Sequence, residues 1–271
     1  MHRLLVATDF STAAWNAFEY TLSLAEHLNA EIHLVFVNKF VEAETVLPEQ
    51  HRRSLIERDN SDYEKRLQRW ATHYPDQKPM PGGGAAIHYH VFDGKPASTI
   101  ARAAQSLQAD VIVLGGRDKH NIREHLFGSI TTHLTGRSPC PMLVIPEKAR
   151  FHPIQAIAFA IDITLDERRV LERLRTVATS LGANVQPFFV NMLPEEQDKI
   201  KVERLDADGQ RIDMVRDREV TSGIAYYLEH HPVQILAMYI PDRAFHNHLL
   251  HGHLLRYMAW HTPLPLLLVR E

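Results

Sequence analysis

Two stretches of this 271-residue chain resemble each other across a fixed interval. Leu4-Leu5-Val6-Ala7-Thr8-Asp9, an apolar run closed by an aspartate, has its counterpart in Ile157-Ala158-Phe159-Ala160-Ile161-Asp162, 153 positions later. Phe36-Val37-Asn38 recurs at the same interval as Phe189-Val190-Asn191. Further on, Val91, Asp93, Ile100 and Gly128 match Val215, Asp217, Ile224 and Gly252 at an interval of 124, so the second half lacks 29 residues. Repetition of this kind decides domain count better than length does. It predicts two domains, residues 1–147 and 152–271, joined by a short segment between Pro146 and Pro153. The extra residues of the first half fall between Asn38 and Ile87. They read as a lid-like segment, with a charged helical stretch around Ser54 to Trp70 and a Pro79-Met80-Pro81-Gly82-Gly83-Gly84 loop.

Each half alternates strand and helix. Leu4 to Ala7 is a continuous apolar run, as suits a strand covered on both faces, and the periodic Ala14, Phe18, Leu22 and Ala25 follow a Ser11-Thr12 cap. The unit recurs at Ile32 to Val37, at Ile87 to Val91 with a helix from Pro96 to Leu107, and at Val111 to Leu114 with a helix beginning near Gly128. Met142 to Ile145 closes the half. The second half supplies strands at Ile157 to Ala160, Gln186 to Val190, Ile212 to Val215, Ile235 to Met238 and Leu266 to Val269. Parallel neighbours need crossovers of about a dozen residues, so this alternation predicts an α/β chain of two open, five-stranded parallel sheets with helices on both faces.

Composition narrows the function. A hydrophobic fraction of 45% with 23% charged residues describes a globular chain, and a formal net charge of −3 leaves no basic excess to neutralise a run of phosphates. Nucleic acid is therefore not an expected partner. Cys140 is the one cysteine, so no disulfide forms within the chain, and no apolar run approaches the roughly 20 residues of a membrane span. The expectation is a cytoplasmic protein with no membrane contact.

In open parallel sheets, ligands bind beyond the carboxyl ends of the strands. Asp9 follows the first strand, Val37 ends the second, Gly115-Gly116 ends the fourth, and Gly128-Ser129-Ile130-Thr131 opens the last long helix. Free N–H groups at a helix opening favour a phosphate, and glycine lets it approach the main chain, so a nucleotide is the natural candidate. Taken singly, Asp9 also reads as a helix cap and the glycine pair as a turn.

Together these residues resemble the universal stress protein family. That family's fingerprint is an early strand ending in aspartate and a late G-x2-G-x9-G-[ST] before a proline-introduced strand. Here the stretch is Gly115-Gly116-Arg117-Asp118, nine residues, Gly128-Ser129, then Pro139-Cys140-Pro141-Met142-Leu143-Val144-Ile145. The Asp93-Gly94-Lys95-Pro96-Ala97 turn is similar too, and the likeness covers the chain as two copies. It implies two Rossmann-like domains of the adenine nucleotide alpha hydrolase-like kind, paired through Met142–Ile145 and Leu266–Val269 as an intramolecular pseudo-dimer. It implies ATP as ligand, held by Asp9, Val37, Gly115, Gly128 and Ser129 with Thr131 adjacent. It also implies a stress-responsive sensor that binds without turnover, forms a homodimer and meets protein partners of unknown kind. Asp118 stands where the family has its second glycine and brings negative charge toward phosphate oxygens, while Arg117, Lys119 and Arg123 stand near it. In the second half Tyr239, Asp242 and His253 replace Gly115, Asp118 and Ser129, leaving Gly252, Asp162 and Val190, so this copy reads as a degenerate packing partner.

Other chemistry has weaker support. His246, His248, His251 and His253 are spaced so that pairs share a helix face, yet no carboxylate lies among them and no H-E-x-x-H spacing occurs, so no metal site is assigned. The sequence contains no G-x-x-x-x-G-K-[ST] loop and no G-x-S-x-G elbow, and Cys140 between two prolines reads as inert. Two rivals stay open: a ligand-free interaction module, and an ATP- or metal-dependent hydrolase.

Overall fold

The computed structural model describes residues 2–39, 49–72, 84–116, 129–161, 168–192, 200–205, 211–240 and 262–270. They form two compact units that divide at Glu147 and Lys148.

The first unit runs β1 (Arg3–Thr8), α1 (Thr12–Leu28), β2 (Glu31–Asn38), α2 (Glu49–Thr72), β3 (Ile87–Asp93), α3 (Pro96–Ser106), β4 (Val111–Gly116), α4 (Ser129–Thr135) and β5 (Met142–Pro146). Its strands are ordered β3-β2-β1-β4-β5 and every pairing is parallel. Leu4, Leu5 and Val6 of the central strand are fully buried, as the continuous apolar run predicts for a strand covered on both sides. Helix α1 starts where the Ser11 side chain accepts the Ala14 N–H at 3.2 Å, and it ends at Asn29 in the left-handed region with φ 51°. Pro96 opens α3, where its missing N–H costs nothing.

Helix α2 corrects the reading of a lid. Its Leu67, Trp70 and Ala71 are buried, and Trp70 stacks on Phe18 at 5.5 Å between ring centroids while meeting Trp15 edge-on at 5.2 Å and Phe10 edge-on at 5.9 Å. Phe36 of β2 extends the group to Phe10 at 4.7 Å and Tyr63 at 4.7 Å. Offset and edge-to-face aromatic pairs stabilise beyond the area they bury, so the carboxyl half of this helix is part of the core. Of the Pro79–Gly84 loop, residues 79–83 lie outside the described residues.

The second unit runs β6 (Ala156–Ala160), α5 (Arg168–Ser180), β7 (Asn184–Met192), β8 (Ile200–Leu205), β9 (Arg211–Asp217), α6 (Val220–His230), β10 (Ile235–Tyr239) and β11 (Leu266–Val269). Its order is β11-β10-β6-β7-β9-β8. Reading β6, β7, β9, β10 and β11 for β1 to β5, the parallel core has the strand order of the first unit. Five parallel strands were expected in this half, and β8 departs from that. It is a sixth strand, antiparallel to β9, with a register shift between Val202 and Arg204. A hairpin partner needs no crossover helix, so a chain shortened between β7 and β9 can still cover the outer edge of β9.

Candidate functional site

Strands β2, β1 and β4 are adjacent and parallel, so their carboxyl ends, and with them Val37, Asp9 and Gly115, lie at one edge of the first sheet. Thr8 pairs with Phe36, which sets Asp9 level with Val37 when the register is continued by one residue. Asp9 is exposed, and its Oδ1 accepts the Ser11 N–H at 3.1 Å. Thr8 Oγ1 accepts the Phe10 N–H at 3.0 Å, and Phe10 itself sits at φ 63°. A bulky residue rarely adopts that conformation. Here the Phe10 ring is held against Phe36 and Trp70 from one side and by the Arg66 guanidinium, 4.3 Å from its centroid, from another. The turn that presents Asp9 is therefore fixed by local hydrogen bonds and by packing against α2.

Val37 is buried, with 8% exposure. The strand end beside it is secured by polar groups that composition did not single out. Asn38 Nδ2 donates to Asp59 Oδ2 at 2.8 Å, Asn60 Nδ2 donates to Asp93 Oδ2 at 2.7 Å, and the Gly94 N–H donates to the Asn38 carbonyl at 3.0 Å. Gly94 has φ 130°, and a β-carbon there would stand 2.9 Å from Thr99 Oγ1, so glycine is demanded twice over.

Gly115 has a structural reason the sequence did not disclose. A β-carbon on it would lie 2.4 Å from the Ala13 carbonyl carbon and oxygen and 2.8 Å from the Ala14 nitrogen, so the first turn of α1 rests directly on the β4 main chain. Gly116 is tight as well, with the Ile145 carbonyl oxygen at 3.3 Å. Asn16 Nδ2 then donates to the Pro146 carbonyl at 2.7 Å, pinning α1 to the end of β5. Ser129 is the first residue of α4, and Thr131 on the same helix is buried, its carbonyl accepting the Thr135 hydroxyl. Gly128, Asp118, Arg117, Lys119 and Arg123 lie outside the described residues, as does the side chain of Ser129.

In the second unit Val190 keeps the place of Val37 and packs on α6, where a β-carbon at Gly223 would come within 2.6 Å of Val190 Cγ1. Tyr239 ends β10 where Gly115 stands in β4, and a side chain of that size forbids the close helix approach made at Gly115. Asp162, Asp242, Gly252, His253 and the other residues of the histidine-rich stretch from His246 lie outside the described residues. Among the described residues no group of three or more His, Cys, Asp or Glu side chains is placed to hold a metal ion, and no helix is long and apolar enough to cross a membrane. Cys140 is half-buried.

The profile of the universal stress protein family matches residues 1–146. A universal stress protein of Methanocaldococcus jannaschii is 23% identical over 146 residues, which is 53% of this chain and 81% of that protein. A universal stress protein of Archaeoglobus fulgidus, known from its crystal structure, superposes with a TM-score of 0.67 over 99% of this chain and 98% of its own, at 15% identity. A protein of Pseudomonas aeruginosa described as a universal stress protein aligns with a TM-score of 0.57 over 100% of this chain and 93% of its own, at 12% identity. These likenesses at low identity carry the fold, and the profile carries the lineage: the chain belongs to the universal stress protein family.

Proposed function

We propose that the first unit binds an adenine nucleotide, ATP foremost, and that the protein reports this state to partner proteins by binding alone, without turnover. The supporting observation is the convergence of Asp9, Val37 and Gly115 at the carboxyl ends of three adjacent parallel strands, where such sheets take their ligands. In this reading the exposed Asp9 carboxylate accepts hydrogen bonds from the nucleoside, Val37 offers apolar surface to the base, and Gly128, Ser129 and the neighbouring Thr131 turn main-chain N–H groups toward the phosphates. The second unit is a degenerate copy that keeps the fold and leaves the ligand to the first.

A second reading, a ligand-free interaction module, is favoured by Gly115, whose lack of a side chain is required by α1 whether or not a phosphate approaches. Calorimetric titration with ATP, ADP and AMP, each with and without Mg²⁺, separates the two. Saturable binding with no product supports the sensor, and its loss in Gly128→Trp places the phosphates at the opening of α4. Product formation would make the protein an enzyme, and silence with all three nucleotides would leave the interaction module.

A further inference from the structure

The parallel register of β2 and β3 pairs His33 with His88 and Val35 with His90, so Glu31, His33, His88 and His90 share one face of the sheet. His33 is buried, at 8% exposure. Its Nδ1 lies 3.0 Å from His90 Nε2 and its Nε2 lies 3.2 Å from Glu31 Oε1. The ring stacks between His88, 5.0 Å away, and His90, 5.2 Å away. Glu31 also accepts the Arg3 Nε–H at 2.9 Å from β1, and its Oε2 lies 3.5 Å from His88 Nε2. Phe92 stacks beyond His90 at 6.0 Å. From α3 and the turn after it, Arg102 donates to Thr99 and Gln108 accepts from Arg3, and Asp110 is taken up by the main-chain N–H groups of His2 and Arg3. The imidazoles of His33 and His88 and the Arg3 guanidinium thus share the Glu31 carboxylate, and His90 is joined to it through His33.

Two imidazole nitrogens at hydrogen-bond distance hold one hydrogen between them. With both rings neutral, His90 Nε2–H donates to His33 Nδ1 while His33 Nε2–H donates to Glu31. One added proton keeps every bond: it enters at His90 Nδ1 as the Nε2 proton passes to His33 Nδ1, so His33 becomes the imidazolium, the bond to His90 reverses direction, and the bond to Glu31 becomes an ion pair. A second proton, on His90 Nε2, sets N–H against N–H and cation against cation. We propose that the His33–His90 pair stores one proton and that a second proton releases β3 from β2, making this outer strand an acid-responsive element of the first unit.

Strand β3 suits the role because, among the described residues, β2 is its one neighbour in the first sheet. Burial, and then the charges of His33 and His88, push His90 below the ordinary imidazole value of 6.5. Between these values the unfolded chain binds more protons, so the contribution of His90 to stability is complete above 6.5 and is lost as pH falls through its folded value.

The test is a titration of the full chain from pH about 8 to about 5, following the imidazole nitrogens by NMR and the β3 amides by hydrogen exchange. The expected result is two separated protonation steps for the pair. Protection of the amides from Ile87 to Asp93 should fall by about tenfold at the second step alone, while β1 and β4 keep theirs. In His90→Gln the amide still donates to His33 but takes no proton, so β3 protection stays flat, whereas His88→Gln retains the drop. A single shared midpoint for both rings, or an undiminished drop in His90→Gln, overturns the proposal. Should His90→Gln fail to fold, the wild-type titration decides by itself.

Discussion

The two units share a parallel core order and differ in how the strand next to the edge is covered. In the first, the connection from β2 to β3 contains α2, whose Trp70 closes an aromatic cluster with Phe10, Trp15 and Phe18. In the second, the described part of the shorter connection is β8, which hydrogen-bonds to β9. The first solution reaches back to the turn that carries Asp9, because Phe10 belongs to both the turn and the cluster. The second, among the described residues, covers the edge of β9. The difference teaches that helix α2 of the longer connection acts through packing on the end of the sheet that carries Asp9, where an insertion read from sequence suggests only an optional cover.

The strongest challenge to this contrast is Trp70→Ala. Removing a buried aromatic of this kind should cost the first unit about 3–5 kcal/mol, read from chemical denaturation by Trp15 fluorescence with Trp260 replaced by Phe. A loss under about 1 kcal/mol, the range of an exposed position, would return α2 to the role of a loose cover. Next in size is a pair of glycines. Gly115→Val drives a side chain into the main chain of α1 and should cost about 3 kcal/mol. Gly223→Ala meets side-chain atoms, the methyl groups of Val190 and the β-carbon of Asp217, and gains some helix propensity, so about 1–2 kcal/mol is expected. Equal costs would mean that α1 and α6 approach their sheets alike. The smallest effect belongs to Tyr227→Phe. The Tyr227 hydroxyl donates to Asp213 Oδ2 at 3.1 Å, burial holds it above the ordinary tyrosine range, and Asp213 retains Arg211, so about 1 kcal/mol is expected from denaturant midpoints.

Much of the fold was legible because burial on both faces writes a parallel strand as an unbroken apolar run, as at Leu4 to Val6 and Ile112 to Leu114. Strand β8 escaped for a physical reason. Ile200 and Val202 begin an alternation with Lys201 and Glu203, but the register shift between Val202 and Arg204 breaks the period before it becomes a pattern. The strand-end positions of Asp9, Val37 and Gly115 were legible, and the physical reasons for them less so. Gly115 reads from sequence as room for a phosphate, and only the distance to Ala13 reveals the helix resting on it. The Phe10, Trp15 and Trp70 cluster joins residues up to 60 positions apart, which no local periodicity can report. The imidazoles of β2 and β3 likewise meet through register, not through spacing along the chain.

The strand order of the first unit also bears on how the chain is made. Strand β1 is made before its neighbours yet is innermost in its sheet, flanked by β2 and β4, and the main chain of His2 and Arg3 is gripped by Asp110, 108 positions from His2. At roughly 5–20 residues per second that partner arrives on the order of 5–20 s later. Leu4, Leu5 and Val6 can therefore pair with β2 well before they can pair with Val111, Ile112 and Val113 of β4.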